Sequence, residues 1–240
     1  MYDLIVLGAT FAAAGIAHRY KEKCLIIERR AQAGYEFFSS LNFGINYDKE
    51  VKEKESQDLQ QKFLEAGENL YDCNRYIYPY LSEADVIFGA EVVSVEQTED
   101  GFVCVAHGID GFCTYKAKRV VDSRCSGEMC ISKSYNLLIE SPQAPSFSNM
   151  HCRKAEGQNR YIIHCPVPLL GGYVQARSIA QNVIEGFSET QRLIFSADEF
   201  DYQVKDGYPK TENGILYLPS KAYENPILAF DAGLGITEGA

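Results

Sequence analysis

The sequence predicts an α/β protein: a parallel sheet extended by a three-stranded antiparallel meander and completed by a smaller α+β lobe. Three observations carry that expectation. The first is the opening alternation of strand, turn, helix and strand. Leu4-Ile5-Val6-Leu7 leads to the turn Gly8-Ala9-Thr10, then to a helix from Ala12 to Tyr20, then to Cys24-Leu25-Ile26-Ile27, closing on Glu28. Both strands are unbroken apolar runs, the pattern of parallel strands covered on both faces. The second is the series Val92 to Glu96, Phe102 to Ala106 and Phe112 to Lys116, joined by Asp100-Gly101 and Asp110-Gly111, residues that tight hairpins need. The third is the change of texture after Lys133. Strand-like Asn136 to Glu140 and Tyr161 to Cys165 alternate with Pro142, Pro145, Pro166 and Pro168, as in an antiparallel second lobe.

The remaining segments fill in this frame. Residues 31 to 48 lack periodicity and read as a long loop or short helical turns. Leu59, Phe63, Ala66, Leu70, Cys73 and Ile77 recur at steps of four and three, which predicts one long amphipathic helix, led in by the charged stretch Asp48 to Glu55 and ended by Pro79. Val86-Ile87-Phe88 is expected as a short buried strand. Arg119-Val120-Val121-Asp122 is expected as a return to the main sheet, followed by the loop Ser123-Arg124-Cys125-Ser126-Gly127. Ile179, Val183, Ile184 and Phe187 share a helical face after Gly171-Gly172. Ile227-Leu228-Ala229-Phe230 reads as a last strand ending at Asp231-Ala232-Gly233. The expected division is a main domain of residues 1–130 completed by 206–240, with a second lobe at 131–205.

Composition narrows the function. Of 240 residues, 46% are hydrophobic and 23% charged, the ordinary balance of a folded globular chain. A net charge of -10 without a basic stripe opposes nucleic acid. No apolar run approaches a membrane span, and Leu4 to Leu7 is too short for a signal peptide, so a cytoplasmic location is expected. Of the eight cysteines, Cys24 and Cys104 fall inside apolar strands, and all are expected as reduced thiols. Cys125, Cys130, Cys152 and Cys165, with His151 and His164, lack the spacing of a zinc site, and no metal is expected.

Chemistry concentrates at the first turn. A helix N-terminus offers unpaired N–H groups and partial positive charge to a pyrophosphate, and small residues allow close approach. In the dinucleotide pattern G-x-G-x-x-G/A the three positions are Gly8, Thr10 and Ala13. Glu28 lies at the end of the second strand, about twenty residues past Gly8, where a carboxylate can accept hydrogen bonds from ribose hydroxyls. An acid there disfavours a 2′-phosphate, although Arg29 and Arg30 adjoin it. The plainer reading is a surface cap on a strand.

Taken in order, the opening βαβ unit with Glu28, the meander after Val92, the strand Val120-Val121-Asp122 and the run Phe230-Asp231-Ala232 resemble the FAD-dependent oxidoreductases with a Rossmann-like FAD-binding domain of the glutathione reductase type. The last two runs stand where that family has V-[VI]-[DN]-A-T-G and G-D-A. The resemblance implies FAD as cofactor. Its pyrophosphate would meet the backbone of Gly8, Ala9, Thr10, Phe11 and Ala12, and its adenosine ribose would meet Glu28 beside Arg29. The adenine would meet the backbone of Val92. Ser123 and Arg124 would lie over the same nucleotide half, and Asp231 with Ala232 would approach the ribityl chain or the pyrophosphate.

The same resemblance implies that the second lobe covers the isoalloxazine and chooses a small-molecule substrate. With no second nucleotide domain, the reductant would be the substrate, a nicotinamide reaching that lobe, or an electron-donor protein. Several residues depart from the family pattern: Thr10 replaces a glycine, Ser123-Arg124-Cys125 replaces A-T-G, and Phe230 precedes Asp231 in place of glycine. Gly233 to Gly239 mimic a second fingerprint but leave no space for a helix and strand, so a short end or a site shared with a second subunit is expected. Two other readings stay open, a cofactor-free flavoprotein-like binding or scaffold subunit and an NAD-binding protein. No catalytic residue is assigned. Cys125 facing the flavin and His151 or His164 as proton carriers are candidates without a legible orienting partner.

Overall fold

The computed structural model describes residues 1–66, 70–148, 150–155 and 158–237. Strand β1 (Tyr2–Leu7), helix α1 (Phe11–Tyr20) and strand β2 (Cys24–Glu28) form the opening unit. Helices α2 (Lys54–Ala66) and α3 (Tyr78–Leu81) precede β3 (Asp85–Phe88), and the meander is β4 (Glu91–Thr98), β5 (Gly101–Gly108) and β6 (Gly111–Asp122). The second lobe contains β7 (Cys130–Glu140), β8 (His151–Lys154), β9 (Arg160–Val167), α4 (Tyr173–Glu185), β10 (Arg192–Ser196) and β11 (Asp201–Val204). The chain then returns through β12 (Lys210–Glu212), β13 (Ile215–Tyr217) and α5 (Pro226–Leu234).

Strands β13, β6, β1, β2 and β3 lie side by side in that order, each parallel to its neighbours. Burial alternates along β1. Leu4 and Val6 join the core under the helices, while Ile5 and Leu7 join a second core under the meander. Covering on both faces is why the strand carries no polar alternation. The meander's third strand and the return to the main sheet are one twelve-residue strand. Residues 111–117 of β6 pair antiparallel with β5, and residues 117–122 pair parallel with β1. The second sheet is antiparallel, with β7 bonded to β9, β10 and β11, and α4 packs Ala176, Ala180 and Val183 toward the core.

Three expectations are corrected. The long helix through Ile77 is α2 ending at Ala66, followed by a 3₁₀ stretch at Leu70–Ile77. Gly67 follows Ala66 in sequence, and glycine has low helix propensity. Pro79 stands in the first turn of α3 instead of ending a helix, a place where its missing N–H costs nothing. Residues 227–230 are helical, not a strand. Asn225 Oδ1 accepts from the N–H groups of Ile227 and Leu228 at 3.0 and 2.9 Å, and Pro226 opens α5. The closing strand of the parallel sheet is β13, which lies before this helix, and the end of the chain therefore supplies both a strand and a helix. Residues 238 and 239 of the fingerprint-like run lie outside the described residues.

Helix α5 packs directly on α1 through two glycines. A Cβ on Gly233 would strike the Ala12 carbonyl oxygen, and one on Gly15 would strike the Phe230 carbonyl oxygen. Among the described residues no helix is long and apolar enough to cross a membrane.

Candidate functional site

The turn after β1 is left-handed at Gly8, with φ of 94°. A Cβ there would lie 2.6 Å from Arg124 Cγ, so this position needs glycine for both conformation and space. Thr10 caps α1: its Oγ1 accepts from the Ala13 N–H at 3.2 Å and donates to Ser123 Oγ at 2.8 Å. Ser123 Oγ in turn donates to the Leu7 carbonyl at 2.9 Å. The residue at the second glycine position is therefore a peg joining the turn to the end of β6.

Three further N–H groups of the turn are also taken from within the chain. The Ala9 N–H donates to Glu28 Oε2 at 2.9 Å, the Phe11 N–H to Glu36 Oε1 at 2.8 Å, and the Ala12 N–H to Ser220 Oγ at 3.0 Å. Residues 9 to 13 have no exposed surface.

Acids and arginines paired around the turn complete this arrangement. Glu28 is buried, and its Oε1 accepts from the Arg30 backbone N–H at 2.8 Å and from Arg30 Nη1 at 3.2 Å. Arg30 lies over the Tyr35 ring, 3.5 Å from its centroid, and forks onto Glu199 of the second lobe. Arg29 is half-exposed, with Nη2 3.9 Å from Glu199 Oε2. Arg124 makes a two-pronged pair with Asp122, Nε to Oδ1 at 2.9 Å and Nη2 to Oδ2 at 2.8 Å, which folds its side chain back over Gly8. Glu36 is buried, and its Oε2 has no hydrogen-bond partner among the described residues. Burial pushes its carboxyl up to about 7, against the opposing pull of the Phe11 N–H, Ser220 and Lys221.

Sequence reasoning brought Gly8, Ala9, Thr10, Phe11, Ala12, Glu28, Ser123 and Arg124 to this one place. Val92 sits half-buried on β4 in the core beneath the meander. Asp231 and Ala232 are corrected. Both lie inside α5, where Asp231 Oδ1 accepts from the N–H groups of Lys52 and Glu53, each at 3.1 Å, and Ala232 packs on the main core. The run Phe230-Asp231-Ala232 is helical and not the end of a strand. Glu36 and Ser220 were missed because neither belongs to a motif.

A separate cavity of about 560 Å³ opens where the second sheet meets residues 42–45 and 221–224. His151 and His164 face each other across β8 and β9, their ring centroids 5.6 Å apart, and both line it. Asp201 binds three groups there. Its Oδ1 lies 2.8 Å from the buried Lys221 ammonium, and its Oδ2 accepts from Asn42 Nδ2 at 2.8 Å and lies 3.9 Å from His164 Nδ1. Burial lowers His164 to about 4, with Asp201 working in the opposite direction. Cys125 is a poor nucleophile, because burial holds its thiol far above the usual range.

A dinucleotide pyrophosphate needs free N–H donors and open space at the α1 N-terminus. Here the N–H groups of Ala9, Phe11, Ala12 and Ala13 are already bonded and residues 9 to 13 are fully buried, so the residues in this arrangement do not accommodate FAD without moving Glu36 and Arg124.

No protein-family profile matches the sequence, and no curated protein is matched by sequence similarity. Solved structures do share the fold. BexE, studied for oxidation during BE-7585A biosynthesis, superposes with a TM-score of 0.62 at 14% identity over 97% of this chain. This chain spans only 60% of the length of BexE. The p-nitrophenol 4-monooxygenase PnpA from Pseudomonas putida DLL-E4 gives 0.56 at 9% identity, covering 98% of this chain and 76% of its own. Glycine oxidase from Geobacillus kaustophilus gives 0.54 at 14% identity, covering 97% and 92%. The shared fold is a mixed α/β, Rossmann-like architecture. PnpA is named a monooxygenase and the Geobacillus protein an oxidase, and these names are not specific to the glutathione reductase type that the motifs resemble.

Proposed function

We propose that this chain is an FAD-dependent oxidoreductase acting on a small molecule. In this reading residues 1–130 and 206–240 form the dinucleotide domain, and residues 131–205 form the lobe that selects substrate. The observation that supports it most is the fold itself, shared over nearly the whole chain with oxidases and monooxygenases, with a carboxylate, Glu28, at the tip of β2. FAD, when bound, supplies two-electron redox chemistry. Glu36 and Arg124 would have to move before it could reach the turn.

The chain's own residues suggest the substrate side. The 560 Å³ cavity is polar, with a buried Lys221–Asp201 pair and a neutral His164 that can accept a hydrogen bond from a substrate hydroxyl or amine.

A second reading, a cofactor-free binding subunit, is supported by one observation: the closed turn. The visible spectrum separates the two. Protein incubated with excess FAD and freed of unbound flavin should show flavin bands that denaturation releases. Their absence after such loading would favour the cofactor-free subunit.

A further inference from the structure

Glu36 belongs to no motif, yet it makes the contact a bound phosphate would make. Its Oε1 takes the Phe11 N–H at 2.8 Å, on the first residue of a ten-residue helix. Its Oε2 is buried without a hydrogen-bond partner among the described residues, with the Ser220 hydroxyl and the Lys221 ammonium the groups that favour its charged form. The segment that carries it is folded over the turn. The Gly34 N–H donates to the Ala9 carbonyl at 2.9 Å, and the rings of Phe37 and Phe38 lie 6.0 and 5.7 Å from that of Phe11. Left-handed residues, Gly34 at φ 69° and Leu41 at φ 55°, bound the segment on either side. From the opposite side, the Arg124 stem covers Gly8 while Asp122 holds its guanidinium.

We infer that the Glu36 carboxyl group occupies the α1 N-terminus where a dinucleotide's pyrophosphate would sit, with Arg124 as a cover on Gly8, so that the turn is closed by the chain itself. Nucleotide binding is then a displacement: the segment 34–41 must lift before a phosphate reaches the Phe11 N–H. A ligand that binds only the open state shows an affinity reduced by the fraction of molecules that are open. The identity of the displaced ligand as FAD rests on the oxidoreductase reading; the closure does not.

The test compares wild type, Glu36→Ala and Glu36→Gln, with native fold checked by circular dichroism. Flavin fluorescence quenching measures FAD binding, and calorimetry measures binding of inorganic pyrophosphate. Glu36→Ala is expected to bind FAD at least about tenfold more tightly than wild type, with Glu36→Gln in between. If Glu36→Ala fails to fold, Glu36→Gln carries the same comparison. Tighter pyrophosphate with no FAD binding by any variant would uphold the closure and sink the oxidoreductase reading. Wild type binding FAD as tightly as the variants would overturn the closure and leave that reading intact. Unchanged affinity for both ligands would overturn the closure.

Discussion

Glu28 Oε2 accepts the Ala9 N–H at 2.9 Å, tying the tip of β2 to the turn that follows β1. The same carboxylate holds Arg30, so its removal strands a buried N–H and part of a buried cation. Glu28→Ala is expected to destabilise the protein by about 2–4 kcal/mol. Glu28→Gln, which keeps an acceptor, should lose less. Urea unfolding followed by circular dichroism measures both.

The α1–α5 contact is a backbone-to-backbone contact at Gly233 and Gly15. Alanine would gain roughly 1 kcal/mol of helix propensity at either site, but its Cβ meets main chain, which cannot rotate away. Overpacking wins, and Gly233→Ala should lower stability by about 2 kcal/mol net, equivalent to a Tm roughly 4–8 °C lower. A Tm at or above that of wild type would show that the helices can separate without cost.

Glu36 predicts a pH signature. Its folded-state value of about 7 exceeds its ordinary 4.5, so the folded protein holds that proton more tightly than the unfolded chain. The stability contributed is fully present below pH 4.5 and is lost as pH rises toward 7, by an amount on the order of 3 kcal/mol for a fully buried acid. The charged group opposing this is Lys221, with the Ser220 hydroxyl and the Phe11 N–H beside it. Stability measured from pH 4.5 to 7 should fall more steeply in wild type than in Glu36→Gln.

His164 moves the other way. Burial lowers it to about 4, while Arg153, His151 and Lys221 add to the lowering and Asp201 resists it. Its imidazole should stay neutral down to about pH 4 in NMR titration of the native protein. Because the unfolded histidine protonates first, this residue's contribution to stability is lost as pH falls from 6.5 toward 4. A His164 resonance titrating above pH 6 would mean the cavity is wetter than the fold indicates.

Much of the main sheet was legible because its determinants are local. Leu4 to Leu7 and Cys24 to Glu28 advertise two-sided burial, and Asp100-Gly101 and Asp110-Gly111 advertise hairpins. The end of the chain was misread because Ile227 to Phe230 is apolar on all sides, which suits a buried helix as well as a strand. The overlooked signal was Asn225-Pro226, a cap followed by a first-turn proline. Strand β13 went unrecognised because three residues carry too short a pattern, and its place is set by pairing with Val120, Val121 and Asp122.

The sequence by itself determined the βαβ start, the meander, the glycine at the turn and the acid at the tip of β2, because each depends on residues near one another in the chain. Only the tertiary structure decided what fills the α1 N-terminus. Glu36, Ser220 and Ser123 reach the turn from 25, 208 and 113 residues away from their partners. Hydrogen bonds over such separations leave no periodic trace. They form because a buried N–H must find an acceptor, and the fold places these side chains where a phosphate would otherwise be.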